Sequence, residues 1–538
     1  METLRADVWV IGSGAAGFMA AITARLAGAD VAVVGKSGPG KGTSTTFAVG
    51  AFAGPWDGQT EAAYKERVLT AGRGLNEGGM VDIAAAEAPD RFQDLIDWGL
   101  TTKSAPGVFM ALPKDDPGDR IPVWGREIVR CLVAKAEAVG VRFVNNLVVR
   151  AISSGESGVC LRAYGAKARQ WFELRGGSVI LAAGGAGALF LHHDNPKRIG
   201  GDAHTLAYEA GCVMQDMEFV QFYPVAIAEP GKPIFLIEPE GADLGHLINA
   251  AGEDILDKYN ITVRPAATHA RDALSQALFQ EIEEHDGAVF IDLTHVTREE
   301  WSVNPISATK WAYLDANFNA WNQRLRVAPV AHFSGGGART DLHGATSVPG
   351  FYAAGEAAGG MHGANRMGGN ALTECLVFGR RAGVAATAFA KALDQGTNAT
   401  APVMVPETGE PQVDANALRA ELCQIMWQYG GIRRDAAGLA TGLEKVRAIA
   451  AQAARTRGIN EPRKLEKYLE TQLAAGAAEL IIQAASRREE SRGTHARADF
   501  PMVDDENWRG HLKVVRKEDG DGDWWFDALE DEDIQAAE

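Results

Sequence analysis

Residues 6–17 read ADVWVIGSGAAG. The run ADVWVI, from Ala6 to Ile11, is short, apolar and rich in β-branched side chains, as a buried parallel strand requires. It passes without a linker into GSGAAG, Gly12 to Gly17. The segment FMAAITARLAG that follows has the Ala and Leu pattern of a helix packed on a sheet, and DVAVV, Asp30 to Val34, is a second strand. The order is βαβ. The glycines do different things: Gly12 makes the tight turn, Gly14 lets the backbone approach a pyrophosphate, and Gly17 lets helix and strand pack closely. The helix that opens at Ala15 and Ala16 offers amide donors and a positive dipole end to phosphate. The second strand ends Val34-Gly35-Lys36, without the acid that holds a ribose in a simple nicotinamide site. A dinucleotide site is predicted, but not a plain NAD fingerprint.

Beyond this turn, length and charge set limits. A chain of 538 residues exceeds what one hydrophobic core serves, so two or three domains are expected. A formal net charge of -17, with no basic stripe, argues against a nucleic-acid partner. Much of that charge lies in KEDGDGDWWFDALEDEDIQAAE, Lys517 to Glu538. Such a run reads as a solvated tail; Trp524, Trp525 and Phe526 also suit a docking strip. The cysteines, Cys131, Cys160, Cys212, Cys375 and Cys423, include no CxxC unit, so neither an iron-sulfur cluster nor a zinc site is expected. No secretory signal opens the chain and no apolar stretch reaches about 18 residues, so a cytoplasmic protein without an integral membrane segment is expected. An oligomer is compatible with all of this.

Further blocks are more specific. KGTSTTFAVGAFAG (Lys41 to Gly54) is followed by SVILAAGGAGALF from Ser178, by Gly201-Asp202, and by EAGCVMQDMEFVQFYP. Then comes FYAAGEAAGGMHGANRMGGNALTECLVFGRRAG, Phe351 to Gly383, with the order strand, Gly-rich loop, helix. SRREESRGTHARADFP (Ser486 to Pro501) and DDENWRGH (Asp504 to His511) complete the series. In this order the blocks resemble the flavoproteins of the succinate dehydrogenase and fumarate reductase family, whose relatives include the L-aspartate oxidases. The resemblance implies FAD. Transferred position by position, it places Gly12, Gly14, Ala15, Ala16, Gly17, Lys36, Thr45, Gly50, Gly184, Gly185, Asp202 and Asn370 along the cofactor. Glu356 would hold ribityl or ribose hydroxyls, while Ala371 and Leu372 present a helix N-terminus to the flavin ring, where an amide dipole offsets developing negative charge. Membrane-complex members carry a histidine that bonds covalently to FAD; Ser44 takes that place here, so the flavin should be noncovalent. The C-terminal blocks would belong to a helical region.

In that family hydride passes between flavin N5 and a carbon beside a carboxylate-activated double bond, and an arginine moves a proton. The resemblance makes Arg271 (in HARDALSQAL) the arginine at the mouth of the capping domain. His332 (in APVAHFSGGG) matches a histidine that contacts a substrate carboxylate, and Arg366 (in GANRMGGN) the arginine that clamps it. Two departures stand out. Phe222-Tyr223-Pro224-Val225 replaces a histidine-bearing FHPT block, and EPEGADLG, Glu238 to Gly245, replaces an EGxRGEGG loop, leaving Gly241 where that register puts the proton-transferring arginine. At about 1.5–3 kcal/mol for each charged hydrogen bond, such losses weigh against a four-carbon dicarboxylate. Tyr223 could serve as donor, acid or stacking surface, which suits a larger, less charged or cyclic substrate.

The expected architecture is α/β: a Rossmann-like FAD-binding domain from residues 1–228 and 335–405, and an inserted α+β capping domain, 229–334, that closes to exclude water. A C-terminal helical domain spans 406–500, and an extension with the acidic tail spans 501–538. The helices follow from three- and four-residue apolar spacing in ALRAELCQIMWQY and LEKVRAIAAQAART, after the Pro-rich linker Ala401 to Gln412. The function implied is an FAD oxidoreductase acting on a small molecule, with electrons carried by an iron-sulfur or ferredoxin-like subunit. The alternatives are an FAD oxidase releasing peroxide and a flavin-bearing assembly subunit without catalysis.

Overall fold

The computed structural model describes residues 1–113, 123–284, 287–393, 399–402, 414–455, 461–518 and 522–529. Most of the Pro-rich linker and the last acidic stretch, 530–538, lie outside them.

The opening βαβ unit forms as its pattern dictates: strand Val8–Ile11, helix Ala15–Leu26, strand Val31–Gly35. The two strands are parallel at the centre of a five-stranded sheet, ordered Phe351–Ala353, Ser178–Leu181, Val8–Ile11, Val31–Gly35, Arg142–Asn145. Val8 to Val10 and Val31 to Val34 are almost wholly shielded, because helices cover one face and other chain segments the opposite one. The long helix Asn370–Ala392 packs against Ala15–Leu26. Its Gly379 and Gly383 allow that approach: a Cβ on either would lie 2.7 or 2.5 Å from the carbonyl oxygen of Ala16 or Ala20. Segments more than 300 residues apart therefore share one layer.

A second five-stranded sheet is antiparallel, ordered Phe235–Leu236, Val220–Ile227, Leu325–Ser334, Val289–Asp292, His246–Asn249. Its outer part has an apolar core of its own, from Val225 through Leu274, Ile291 and Trp301 to Val327. The two long strands belong to both cores, since Phe222 and Ala331 pack in the main one. Between the cores the register shifts at Gln221/Phe222 and again at Tyr223/Ala226. Bulges re-aim side chains, and these sit where Tyr223 meets His332.

Three helices, Ala415–Tyr429, Ala436–Arg455 and Pro462–Arg487, form the bundle that the apolar spacing predicts. The blocks after it differ from a helical expectation. Past Arg487 the chain leaves the helix, turning at Gly493 with φ +55°, and among the described residues only Asp505–Trp508 is helical again. The cause is charge. Arg488 is fully buried between Glu218 and Glu490, Arg492 pairs with Glu490 at 2.9 Å, and His511 Nδ1 meets Asp216 at 2.6 Å. Buried charges must be partnered, and two of these partners, Glu218 and Asp216, lie on another segment.

Part of the run read as a solvated tail is also ordered. Strands Gly510–Arg516 and Gly522–Ala528 form a hairpin that extends Met214–Gln215 and Gly337–Ala338 into a four-stranded sheet. Alternation explains it: Trp524 and Phe526 share the more sheltered face, the Arg487 guanidinium stacks 4.3 Å from the Trp524 ring, and Asp523, Trp525 and Asp527 face outward.

Candidate active site

A cavity of about 1070 Å³ runs from the glycine turn, past the N-terminus of helix Asn370–Ala392, to the antiparallel sheet. At its first end the walls are backbone. Gly12 sits at φ +110°, and a Cβ there would stand 2.2 Å from the Ala182 carbonyl oxygen. A Cβ on Gly17 would stand 2.1 Å from the Gly12 carbonyl oxygen, the close helix–strand approach that the motif predicts. Gly12, Gly14, Ala15 and Ala16 line the cavity, whereas Gly17 does not. The Ala15 amide donates to Thr45 Oγ1 at 3.0 Å, tying the turn to the short helix Ser44–Phe47. Ser44 Oγ donates to Asn195 Oδ1 at 3.1 Å, and Ser44, Thr45 and Gly50 all border the cavity.

Lys36 does not leave this end without acids. Its Nζ lies 2.6 Å from Asp202 and 3.2 Å from Glu470, and Arg198 binds Glu470 and Glu466 at 2.7 and 2.9 Å. Glu470 stays low in pKa: burial pushes it up, but Lys36 and Arg198 pull it further down. Sequence reading found Lys36 and Asp202 and missed Arg198 and Glu470. The two glutamates stand four residues apart on one helix face, a signal legible only with their cations known.

Midway, Glu356 Oε1 accepts the Ser334 amide at 3.0 Å. Burial raises this carboxyl to about 7, against the pull of that amide and of Arg366. Gly185 does not border the cavity; it makes room for Glu356, whose Oε1 would be 2.2 Å from a Cβ there. Gly184, Ala371 and Leu372 do border it. Gly369, at φ +78°, starts the helix whose first turn carries Ala371 and Leu372. Asn370 is behind this turn: its Oδ1 accepts from the Tyr64 hydroxyl, and its buried Nδ2 has no protein acceptor among the described residues.

At the far end Arg366, Arg271, His332 and Tyr223 converge from four segments. Arg366 is only 6% exposed. Nη2 donates to Gln221 Oε1 at 2.9 Å, Nη1 to the Met367 carbonyl at 3.0 Å, and the guanidinium stacks 4.7 Å from the Phe333 ring. Nε has no protein acceptor among the described residues, and burial together with Arg271 lowers the pKa of Arg366 to about 10. His332 Nδ1 is 2.6 Å from Asp194 Oδ2. The Tyr223 hydroxyl donates away from the cavity, to the Ile237 carbonyl at 2.8 Å, and burial holds the phenol well above its ordinary pKa. Tyr223 thus offers its ring, 5.4 Å from that of His332, with the Arg271 guanidinium 6.0 Å from its centre. Gly241 lies in the turn Pro239–Ala242, where a Cβ would be 2.8 Å from the Trp301 ring. Glu238, which the sequence reading did not single out, borders the cavity, pairs with the buried Lys310 and has a buried Oε2 without a partner among the described residues.

These walls fit FAD. The glycine turn admits a pyrophosphate where side chains cannot enter, Glu356 offers polar atoms at mid-length, and the volume exceeds the usual ligand-pocket range of about 300–1,000 Å³. Fold and cavity define a dinucleotide-binding protein with a two-stranded bridge into a capping layer. Known proteins carry this further. Residues 7–372 match the family model described as FAD binding domain, and residues 419–536 match the fumarate reductase flavoprotein C-term. An L-aspartate oxidase of Streptomyces coelicolor is 32% identical, with 95% of this chain and 91% of that one aligned. The A chain of the fumarate reductase (CoM/CoB) of Methanothermobacter marburgensis is 30% identical over 96% of this chain and 98% of its own. Among solved structures, a mutant E. coli quinol fumarate reductase FrdA superimposes with a TM-score of 0.83 at 25% identity, covering 98% and 97% of the two chains. Mycobacterium smegmatis Sdh1 gives 0.83 at 27% identity, covering 98% of this chain and 95% of the other. The chain belongs to the succinate dehydrogenase and fumarate reductase flavoprotein family, and its cofactor is FAD. Among the described residues no helix is long and apolar enough to cross a membrane.

Proposed function

We propose that the protein oxidises or reduces a carbon–carbon bond beside a carbonyl or carboxylate of a small molecule other than succinate or fumarate, with noncovalent FAD and a separate electron carrier. Bound FAD supplies the hydride acceptor or donor. The rest falls to the chain. Arg366, fixed by Gln221 and Met367, binds the activating carboxylate or carbonyl. Arg271 borders the same space as a charged hydrogen-bond donor, so the proton role that the loop register assigns to Gly241 passes to it. Its guanidinium lies 6.0 Å from the centre of the Tyr223 ring, and its Nε donates to the Ala267 carbonyl at 3.3 Å. The Tyr223 ring takes a stacking face of the substrate, and the capping layer excludes water.

The observation that carries this reading is the convergence of Arg366, Arg271 and His332 at one end of a single cavity, beyond the helix N-terminus at Ala371. It also disfavours a flavin-bearing protein without catalysis, since two guanidiniums converge there and neither forms an ion pair with a carboxylate among the described residues. Anaerobic stopped-flow reduction of the FAD-loaded protein by candidate saturated acids and ketones tests it. Bleaching that Arg366→Ala abolishes supports the reading; bleaching unaffected by both Arg366→Ala and His332→Ala overturns it. The 32% identity to an L-aspartate oxidase supports a second reading, electron transfer to oxygen, which peroxide release would distinguish. Support for a partner carrier comes from the relatives named as subunits and from the dispersed cysteines, all of them free. FAD that stays with acid-precipitated polypeptide would refute noncovalent binding.

A further inference from the structure

The far end of the cavity carries acids as well as arginines, and one of the acids, Glu238, is paired with the buried Lys310. Asp194, Glu238 and Glu240 border it together with Arg271 and Arg366. Asp194 is held in place: Oδ1 accepts from Asn195 Nδ2 at 3.1 Å, its amide donates to the Ala331 carbonyl at 3.3 Å, and Oδ2 meets His332 Nδ1 at 2.6 Å. Asn195 is itself anchored, through Nδ2, to the His332 carbonyl at 3.0 Å. His332 borders the cavity; with Nδ1 engaged, Nε2 is its remaining ring nitrogen, and among the described residues no protein group bonds to it.

We propose that Asp194 sets the specificity of this end, so that His332 receives a hydroxyl or amine of the substrate in place of a second carboxylate. The inference rests on the site reading under Proposed function. An imidazole paired with a carboxylate presents no net positive charge to hold a second carboxylate. A hydroxyl or amine, in contrast, can donate to Nε2 or accept from it. The substrate class that results has one carboxylate or carbonyl at Arg366 and a neutral polar group at His332.

A matched pair of probes tests this: fumarate, and trans-4-hydroxycrotonate, in which a hydroxymethyl group replaces one carboxylate. Both are titrated against the oxidised FAD-loaded protein, and affinity is read from the visible flavin spectrum without turnover. The wild-type protein should bind hydroxycrotonate about tenfold or more tightly relative to fumarate, because one uncompensated charge contact is worth at least that factor. Asp194→Asn keeps an acceptor for Nδ1 and removes the charge; it should lower this preference about tenfold, as should Asp194→Ser if the first variant folds poorly. His332→Gln should lower affinity for hydroxycrotonate in the wild-type background. A preference unchanged in the Asp194 variants, with Arg366→Ala still weakening both probes, overturns the role of Asp194 alone. Binding that Arg366→Ala leaves intact, or no spectral response to either probe in any variant, overturns the site reading and the role of Asp194 with it.

Discussion

The two ends of the cavity are built on different principles. At the glycine turn the wall is main chain whose conformation admits no Cβ at Gly12 or Gly17, with the Lys36, Arg198 and Asp202 side chains beyond it. At the capping end the walls are side chains from segments around residues 194, 223, 238, 271, 332 and 366, aimed by hydrogen bonds and two bulges. A backbone site is rigid and tolerant of what surrounds it; a side-chain site is tunable, one neighbour at a time. The cofactor is accordingly common to the family, while the reacting end carries this chain's departures.

The sharpest way to break that contrast is Gly12→Val. The left-handed φ and the contact with the Ala182 carbonyl leave no room, and the strain alone is about 1–3 kcal/mol. Purified protein should retain less than about a tenth of its FAD, measured as the flavin-to-protein absorbance ratio. Normal flavin content would mean that the turn is not the phosphate cradle. Next comes Arg366→Ala, which should leave FAD content intact but weaken carboxylate probes about 100-fold, two charged hydrogen bonds at about 1.5 kcal/mol each. Loss of FAD instead would mean that the two ends are not independent.

A smaller effect is expected from Glu356, at the junction. Its folded pKa of about 7 lies above the unfolded value of about 4.3, so its contribution to apoprotein stability is complete below about pH 4.3 and is lost as pH rises through 7. The thermal midpoint of the apoprotein should fall by a few degrees between pH 5 and pH 8 relative to Glu356→Gln; equal profiles would show that the carboxyl is not strained. The smallest effect is at the rim, where Arg73 meets Asp272 at 3.4 Å between the body and the capping layer. Such exposed pairs contribute up to about 1 kcal/mol, so Arg73→Ala should change substrate KM less than about fivefold, and less still in high salt.

Legibility in the sequence follows the same division. The βαβ unit, the second cofactor strand at Ser178 and the helix at Asn370 are local patterns, and each forms where its residues predict. Lys36, Asp202, Glu356, Ala371 and Leu372 could be named because their motifs are contiguous. The ion network of Arg198 with Glu466 and Glu470, and the buried set around Arg488 and Glu218, could not, because a charge in sequence does not reveal which distant charge it meets. Tyr223 shows the same limit: its identity gives a phenol, but the bulges on either side and the Ile237 carbonyl make it a ring rather than an acid.

By itself, then, the sequence determined a dinucleotide fold, its FAD-binding turns and the residue types available for chemistry, since glycine conformation and helix or strand period act over a few residues. Tertiary structure alone decided which charges compensate one another, which way Tyr223 faces, and that Asp194 stands behind His332. Those outcomes depend on packing between segments hundreds of residues apart, where burial makes every unpaired charge costly.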